Sequence, residues 1–265
     1  MADTNSDAYA PQEIAQRVAT VGVAKARRNL LSMLVLAVLA GAFVALGGLF
    51  YAVTVTGSEL GFGITRLLGG MAFSLGLILV VVAGAELFTG NNLIAMAWAS
   101  RLITTRELLR GWVIVYAGNA IGAIATAAGI YLAGVHDFGK GAVEETLMAV
   151  ATHKAGLAPL EMFVLGVMCN ALVCLAVWLA MAGHTVTDKI LGIVPPITAF
   201  VAIGFENSIS NLFFLPLALM LRPDTPGLLQ GSLLNIALVT AGNIVGGTVL
   251  VAGVYWLAYL RDTKK

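Results

Sequence analysis

The sequence predicts an all-α integral membrane protein with six transmembrane helices in an inverted three-plus-three repeat, the second and fifth helices being broken. Three observations lead there. The 265 residues are 59% hydrophobic and 11% charged, with mean hydropathy +0.93, whereas soluble domains carry about a quarter charged residues. The apolar residues fall into six segments, each near or above the roughly 20 residues that cross a bilayer. The second and fifth segments are too long for one straight crossing, and both carry dense polar clusters. The clusters are Gly84-Ala85-Glu86-Leu87-Phe88-Thr89-Gly90-Asn91-Asn92 and Gly204-Phe205-Glu206-Asn207-Ser208-Ile209-Ser210-Asn211. An ionisable group at mid-depth is costly unless it is hydrogen-bonded or beside water. Open backbone is tolerated there only inside protein or along a wet cavity. Two half-helices joined by an irregular loop account for both the excess length and the polarity.

In chain order, Ala2 to Ala10 is polar and reads as a mobile tail. Pro11 can open a helix at its first turn. Ile14, Val18, Val21 and Ala24/Lys25 then recur at helical spacing, with Glu13, Gln16, Arg17 and Arg27 elsewhere on the wheel. That pattern suggests an amphipathic helix lying on the membrane. A plain soluble extension is the alternative, because the apolar face is thin. The six spans follow at Leu30 to Val55, Leu67 to Ser100, Leu108 to Ala133, Pro159 to Ala182, Ile190 to Leu221 and Leu228 to Leu260. The expected organisation is an N-terminal tail and amphipathic helix over 1–29, a six-span membrane domain over 30–260 and a short C-terminal tail over 261–265. The repeat halves cover about 30–134 and 158–260.

Charge orients the spans. Eleven of the 15 Lys and Arg residues flank one side: Arg17, Lys25, Arg27 and Arg28 before the first span, Arg101, Arg106 and Arg110 after the second, Lys189, and Arg261, Lys264 and Lys265 at the end. The positive-inside rule makes that side cytoplasmic, with both termini inside. The opposite side holds Arg66, Lys140, Lys154 and Arg222. A net charge of +1 says nothing about nucleic-acid or acidic partners, and no nucleic acid is expected. Cys169 and Cys174 lie in one apolar segment and read as small buried hydrophobes. No signal peptide with a small-residue cleavage site is visible. The spans lack histidine, and two cysteines are too few for a cluster, so no metal or cofactor is expected and an embedded enzyme is disfavoured. His136, His153 and His184 fall in connections and read as solvent-facing.

The two halves echo each other. Span three holds Gly118-Asn119-Ala120-Ile121-Gly122 and span six Gly242-Asn243-Ile244-Val245-Gly246, each following a cluster with a glutamate, Glu86 or Glu206. Three spans per half is odd, so equivalent spans run in opposite directions, and in such folds the solute site lies where the broken helices meet. Close helix packing is the preferred reading of the glycines. The asparagines are the better functional candidates, since an apolar helix contact needs no amide.

Longer stretches carry a resemblance. They are Phe73-Ser74-Leu75-Gly76-Leu77-Ile78-Leu79 with Gly84-Ala85-Glu86-Leu87-Phe88-Thr89, Asn170-Ala171-Leu172-Val173-Cys174-Leu175-Ala176-Val177-Trp178, and Phe200-Val201-Ala202-Ile203-Gly204-Phe205-Glu206. Gly242 to Gly247 and the closing Tyr255-Trp256-Leu257-Ala258-Tyr259-Leu260-Arg261 belong with them. Across nearly the whole chain the sequence resembles the formate/nitrite transporter family, close to its formate-channel branch. The resemblance implies an aquaporin-like protomer in a homopentamer within membrane lipid, with one pore per protomer. It implies passage of formate, nitrite, hydrosulfide, or acetate and lactate. It places Phe73 and Phe200, with Leu77 nearby, at an outer constriction, Leu87 and Phe88 at an inner one, and Thr89 at the pore centre. It sets Lys154, of the pair His153-Lys154, on a vestibule wall. Asn170, Glu206, Asn211 and Asn243 are assigned to the pathway, and Glu86 and Asn119 to its structural support. The carboxylates of Glu86 and Glu206 are expected to accept from backbone donors freed by the breaks.

One position departs from the family pattern. A histidine usually follows the glutamate of span five, and here the residue is Asn207. Asparagine donates and accepts hydrogen bonds but exchanges no proton near neutral pH. Asn-Pro-Ala loops of the kind that mark neutral-solute pores are absent; Asn91-Asn92 and Asn207 lack the proline.

Overall fold

A computed structural model describes residues 8–261, so the expectations for Ala2 to Asp7 and for Asp262 to Lys265 lie outside the described residues. Every element is helical. Helix α1 (Pro11–Ala26) leads into α2 (Leu30–Val55), capped by the Asn29 side chain on the Ser32 amide. Span two runs as α3 (Phe62–Ile78) and a π-helical turn (Leu79–Gly84), breaks, and resumes as the short α4 (Phe88–Asn91), a 3-10 turn and α5 (Ala95–Ala99). Helix α6 (Thr105–Leu132) starts at a capping box of Thr104 and Glu107. After α7 (Ala142–Ala155) come α8 (Pro159–Ala182), α9 (Val186–Ile203) and α10 (Ser208–Leu221). Helix α11 (Leu228–Val245) then passes through a π-helical stretch (Gly246–Gly253) into α12 (Val254–Tyr259). Among the described residues, six helical stretches are long and apolar enough to cross a membrane, and α10 is a shorter apolar helix.

The breaks fall where the polar clusters predict, between Gly84 and Phe88 and between Gly204 and Ser208. Gly84 (φ +86°) and Gly204 (φ +94°) stand in the left-handed region that lets each chain turn out of its helix. The halves pack alike, α2 on α6 and α3 in the first, α8 on α11 and α9 in the second. A Cβ on Gly122 would sit 1.9 Å from the Val38 carbonyl oxygen, and one on Gly246 would sit 2.1 Å from that of Val167. These glycines let two backbones touch, as the packing reading requires.

Two connecting segments differ from expectation. Helix α1 does not lay its apolar face on lipid: Ile14, Ala15, Val18, Ala19, Gly22 and Ala26 are buried against α5, α8, α12 and the 3-10 turn of the same protomer. The face is thin because it needs only to fit a protein groove. The connection after span three, expected to be a loop, forms α7, which buries Val143, Leu147 and Ala151. The two helices correspond residue for residue: Ile14 to Val143, Val18 to Leu147, Gly22 to Ala151, Lys25 to Lys154. Each repeat therefore starts one helix earlier than the spans. Arg222 clamps α7 through Glu144 (2.8 Å) and Glu145, and its charged hydrogen bond holds the Glu145 carboxyl below its usual range. His136 is not simply solvent-facing either, since its ring stacks on Tyr131.

Gly246→Ala or Gly122→Ala should separate paired helices at a cost of about 1–3 kcal/mol, lowering the thermal midpoint in detergent by roughly 5 °C. Unchanged midpoints in both variants would contradict the packing described.

Candidate functional site

Each break strands backbone groups that have no helical partner, and an asparagine of the facing helix meets them. At the first, Asn119 Oδ1 accepts from the Phe88 amide (2.8 Å), while its Nδ2 donates to the carbonyls of Ala37 (2.7 Å) and Glu86 (2.8 Å). At the second, Asn243 Oδ1 accepts from the Ser208 amide (2.9 Å), and its Nδ2 donates to Gly166 (2.8 Å) and Glu206 (3.0 Å). The amides of Glu86 and Glu206 reach the carbonyls of Leu36 and Leu165. Both asparagines are fully buried, so Asn243 serves the same supporting purpose expected only of Asn119.

The glutamate side chains do something else. They do not accept from the backbone, because the asparagines have already satisfied it. Glu86 accepts from Asn91 Nδ2 (2.7 Å) and Lys25 Nζ (3.0 Å), with Arg28 Nε 3.5 Å from its other oxygen. Glu206 accepts from Asn211 Nδ2 (2.7 Å) and Lys154 Nζ (2.8 Å), and Asn235 Nδ2 lies 3.4 Å away. Both carboxylates are 3% exposed, so each depends on its cation.

Each Lys–Glu pair borders a chamber. The one on the α1 side holds about 380 Å³ and is walled by Lys25, Arg28, Glu86, Lys189, Leu77 and Leu87. The one on the α7 side holds about 110 Å³, with Arg66, Lys154, Glu206, His153, Phe73 and Phe200 in its wall. Phe73 and Phe200 meet edge to face at 5.6 Å between ring centres. Leu77, expected beside them, instead faces the α1-side chamber with Leu87, one turn further along α3. Phe88 lines neither chamber; its ring packs on Tyr116 (4.9 Å) and Trp112 (6.3 Å).

Thr89 and Asn207 are buried and on the wall of neither chamber. Thr89 Oγ1 has no protein partner, and the Cys174 thiol donates to the Thr89 carbonyl (3.4 Å). Asn207 caps α10: its Oδ1 accepts from the amides of Ile209 (3.0 Å) and Ser210 (3.1 Å). Its side chain is also within hydrogen-bonding reach of Cys169. The two cysteines thus back the two polar residues nearest the breaks. Asn170 is buried too, its Nδ2 bridging Asn92 Oδ1 and the Asn243 carbonyl (both 2.7 Å), and its Oδ1 is without a partner.

Sequence reasoning passed over Lys25, Arg28, Lys189, Asn91, Asn235 and Arg66. Lys25 did leave a signal, as a cation closing an otherwise apolar stripe on α1.

Comparison with known proteins places this architecture. A family model described as formate/nitrite transporter matches residues 12–257. The chain is 37% identical over 279 aligned positions to the formate channel FocA of Escherichia coli (strain K12), covering 98% of each. A solved structure described as a pentameric formate channel with formate bound is 39% identical, with TM-score 0.78 over 88% of this chain and 98% of that one. Another, described as an FNT family ion channel, is 28% identical with TM-score 0.83 over 93% and 98%.

Glu206→Ala would leave the part-buried Lys154 unpaired, at a cost of about 2–4 kcal/mol and a thermal midpoint roughly 8 °C lower. Removing Lys154 as well should restore at least half of that loss. Strictly additive losses in the double variant would show that the two do not form one unit.

Proposed function

The chain belongs to the formate/nitrite transporter family, and from that premise we propose that it conducts small monovalent weak-acid anions, formate first, through a pore in each protomer of a homopentamer. The family is one of membrane channels and transporters rather than enzymes. The family match over residues 12–257 carries this reading, and the likeness to a pentameric channel with formate bound supports both the solute and the assembly. The membrane in this reading is the plasma (bacterial inner) membrane, and the Lys and Arg distribution supports an orientation with the α1 side and both termini cytoplasmic.

In this reading an anion crosses between the two chambers past Phe73 and Phe200 on one side and Leu77 and Leu87 on the other. Thr89 and Asn207 serve it in the buried layer between. An anion needs donors. The Asn207 acceptor is committed to capping α10, so the solute shares its Nδ2 end with Cys169, while Thr89 Oγ1 has no partner among the described residues. Such groups partly replace water, as fixed dipoles do in other pores. Lys154 lines the route but is paired with Glu206, so it acts as half of a polar wall. Selection by size and charge treats formate, nitrite and hydrosulfide alike, so nitrite and hydrosulfide are the alternative solutes. Electroneutral proton-coupled passage, with Lys154 or water as proton donor, is the alternative mechanism.

A free carboxylic acid has a pKa of about 4, so the neutral acid is scarce at neutral pH, and Asn207 cannot lend a proton. Formate currents across a planar bilayer should therefore change little between about pH 6 and 7.5, and Asn207→His should introduce a pH dependence in that window. Formate uptake into vesicles without current, accompanied by proton uptake, would overturn the electrogenic reading.

A further inference from the structure

The two chambers balance their charges differently. On the α1 side Glu86 faces Lys25 and Arg28, and Lys189 adds a further cation to the wall. On the α7 side the equivalent pair, Lys154 and Glu206 at 2.8 Å, cancels. In the register that matches Lys25 with Lys154, Arg28 corresponds to Leu157, so the second cation is missing from its symmetric place. Arg66 supplies it from a different element. It lies on α3, where the register matching Glu86 with Glu206 gives the other half Val186. Its Nε donates to the Ala202 carbonyl (2.8 Å) and its Nη2 to that of Val201 (2.9 Å), on the last turn of α9. Among the described residues no carboxylate pairs with it. The other titratable groups on the chamber wall, apart from Tyr51, are His153 and the Lys154–Glu206 pair.

We propose that Arg66, rather than Lys154, supplies the net positive charge that draws small anions into the α7-side chamber. The inference rests on the anion-pathway reading above. Carbonyl dipoles at a helix C-terminus offset only about half a charge, so Arg66 keeps a field in the chamber, whereas a close ion pair leaves only a dipole. The planar guanidinium suits the position because it grips two carbonyls at the edge of the break, and it is half-buried, 5.9 Å from the Phe62 ring centre. A Cβ on Gly204 would lie 3.1 Å from Nη2, so the turn residue is fitted to the arginine.

The test is uptake of radiolabelled formate into proteoliposomes at low and high ionic strength, because a chamber charge acts through a screened field. Arg66→Gln should lower the initial rate about three-fold or more near 10 mM salt and by less than about two-fold near 0.5 M. Arg66→Lys should keep most of the wild-type rate and its salt dependence. Arg66→Cys, labelled in detergent before reconstitution, separates charge from structure, since native Cys169 and Cys174 are fully buried. An ammonium-bearing thiosulfonate should restore uptake and a sulfonate-bearing one of similar size should depress it. Equal rates with both labels, or loss of rate in Arg66→Gln that salt does not change, would overturn the inference. If Arg66→Gln does not yield folded protein, Arg66→Lys carries the test, and a salt-insensitive Arg66→Lys overturns it. Wild-type protein with no uptake above empty liposomes would overturn the anion-pathway reading and this inference together; wild-type uptake matched by Arg66→Gln would overturn this inference alone.

Discussion

A helix that stops inside a membrane leaves amides and carbonyls with no water to meet them, and this structure depends on two asparagines that do so. Asn119 and Asn243 each spend one oxygen and one NH2 group on three backbone partners. That bonding substitutes for the missing helical ladder at each break. Because the backbone is satisfied, the glutamates beside it are released for another task. Each buried carboxylate becomes the anchor of a part-buried ion pair that ties the break to the helix preceding its repeat's spans, α1 through Lys25 and α7 through Lys154. The glycines of the same motif bring the asparagines close enough to reach.

On this framework the proposed pathway is symmetric in backbone and asymmetric in chemistry. The Leu87 position in the first half corresponds to Asn207 in the second, and Thr89 corresponds to Ile209. Polar and apolar residues therefore alternate across the pseudo-twofold relation, giving the middle layer donors without adding a charge. On the electrogenic reading proposed above, Asn207 has no exchangeable proton to lend, the solute crosses in its charged form, and compensation comes from charge at the chambers. The α1-side chamber has that in Lys25, Arg28 and Lys189. In the opposite chamber the proposed counterpart is Arg66.

Much of this was legible in the sequence. Span limits could be read closely because apolar runs are long and the boundaries are marked: α2 and α8 begin and end at the expected residues. The breaks were legible because polar side chains in an apolar run have a physical cost that must be repaid. The partners of Glu86 and Glu206 were not, because a carboxylate and a lysine far apart in sequence give no local signal. Helix α7 was hidden by its composition, with Glu144, Glu145, His153 and Lys154 making a packed helix look like a loop. Leu77 was misplaced for a simpler reason: one helical turn from Phe73 carries it from one chamber to the other.

The claim that fixed asparagine bridges hold both breaks is tested most directly by residue-resolved amide hydrogen exchange on the reconstituted protein. The Phe88 and Ser208 amides, bonded only to side-chain oxygens, are the reporters. The account predicts that both exchange as slowly as amides in the middle of α2 and α8. Exchange at the rate of an open loop at either position would contradict it.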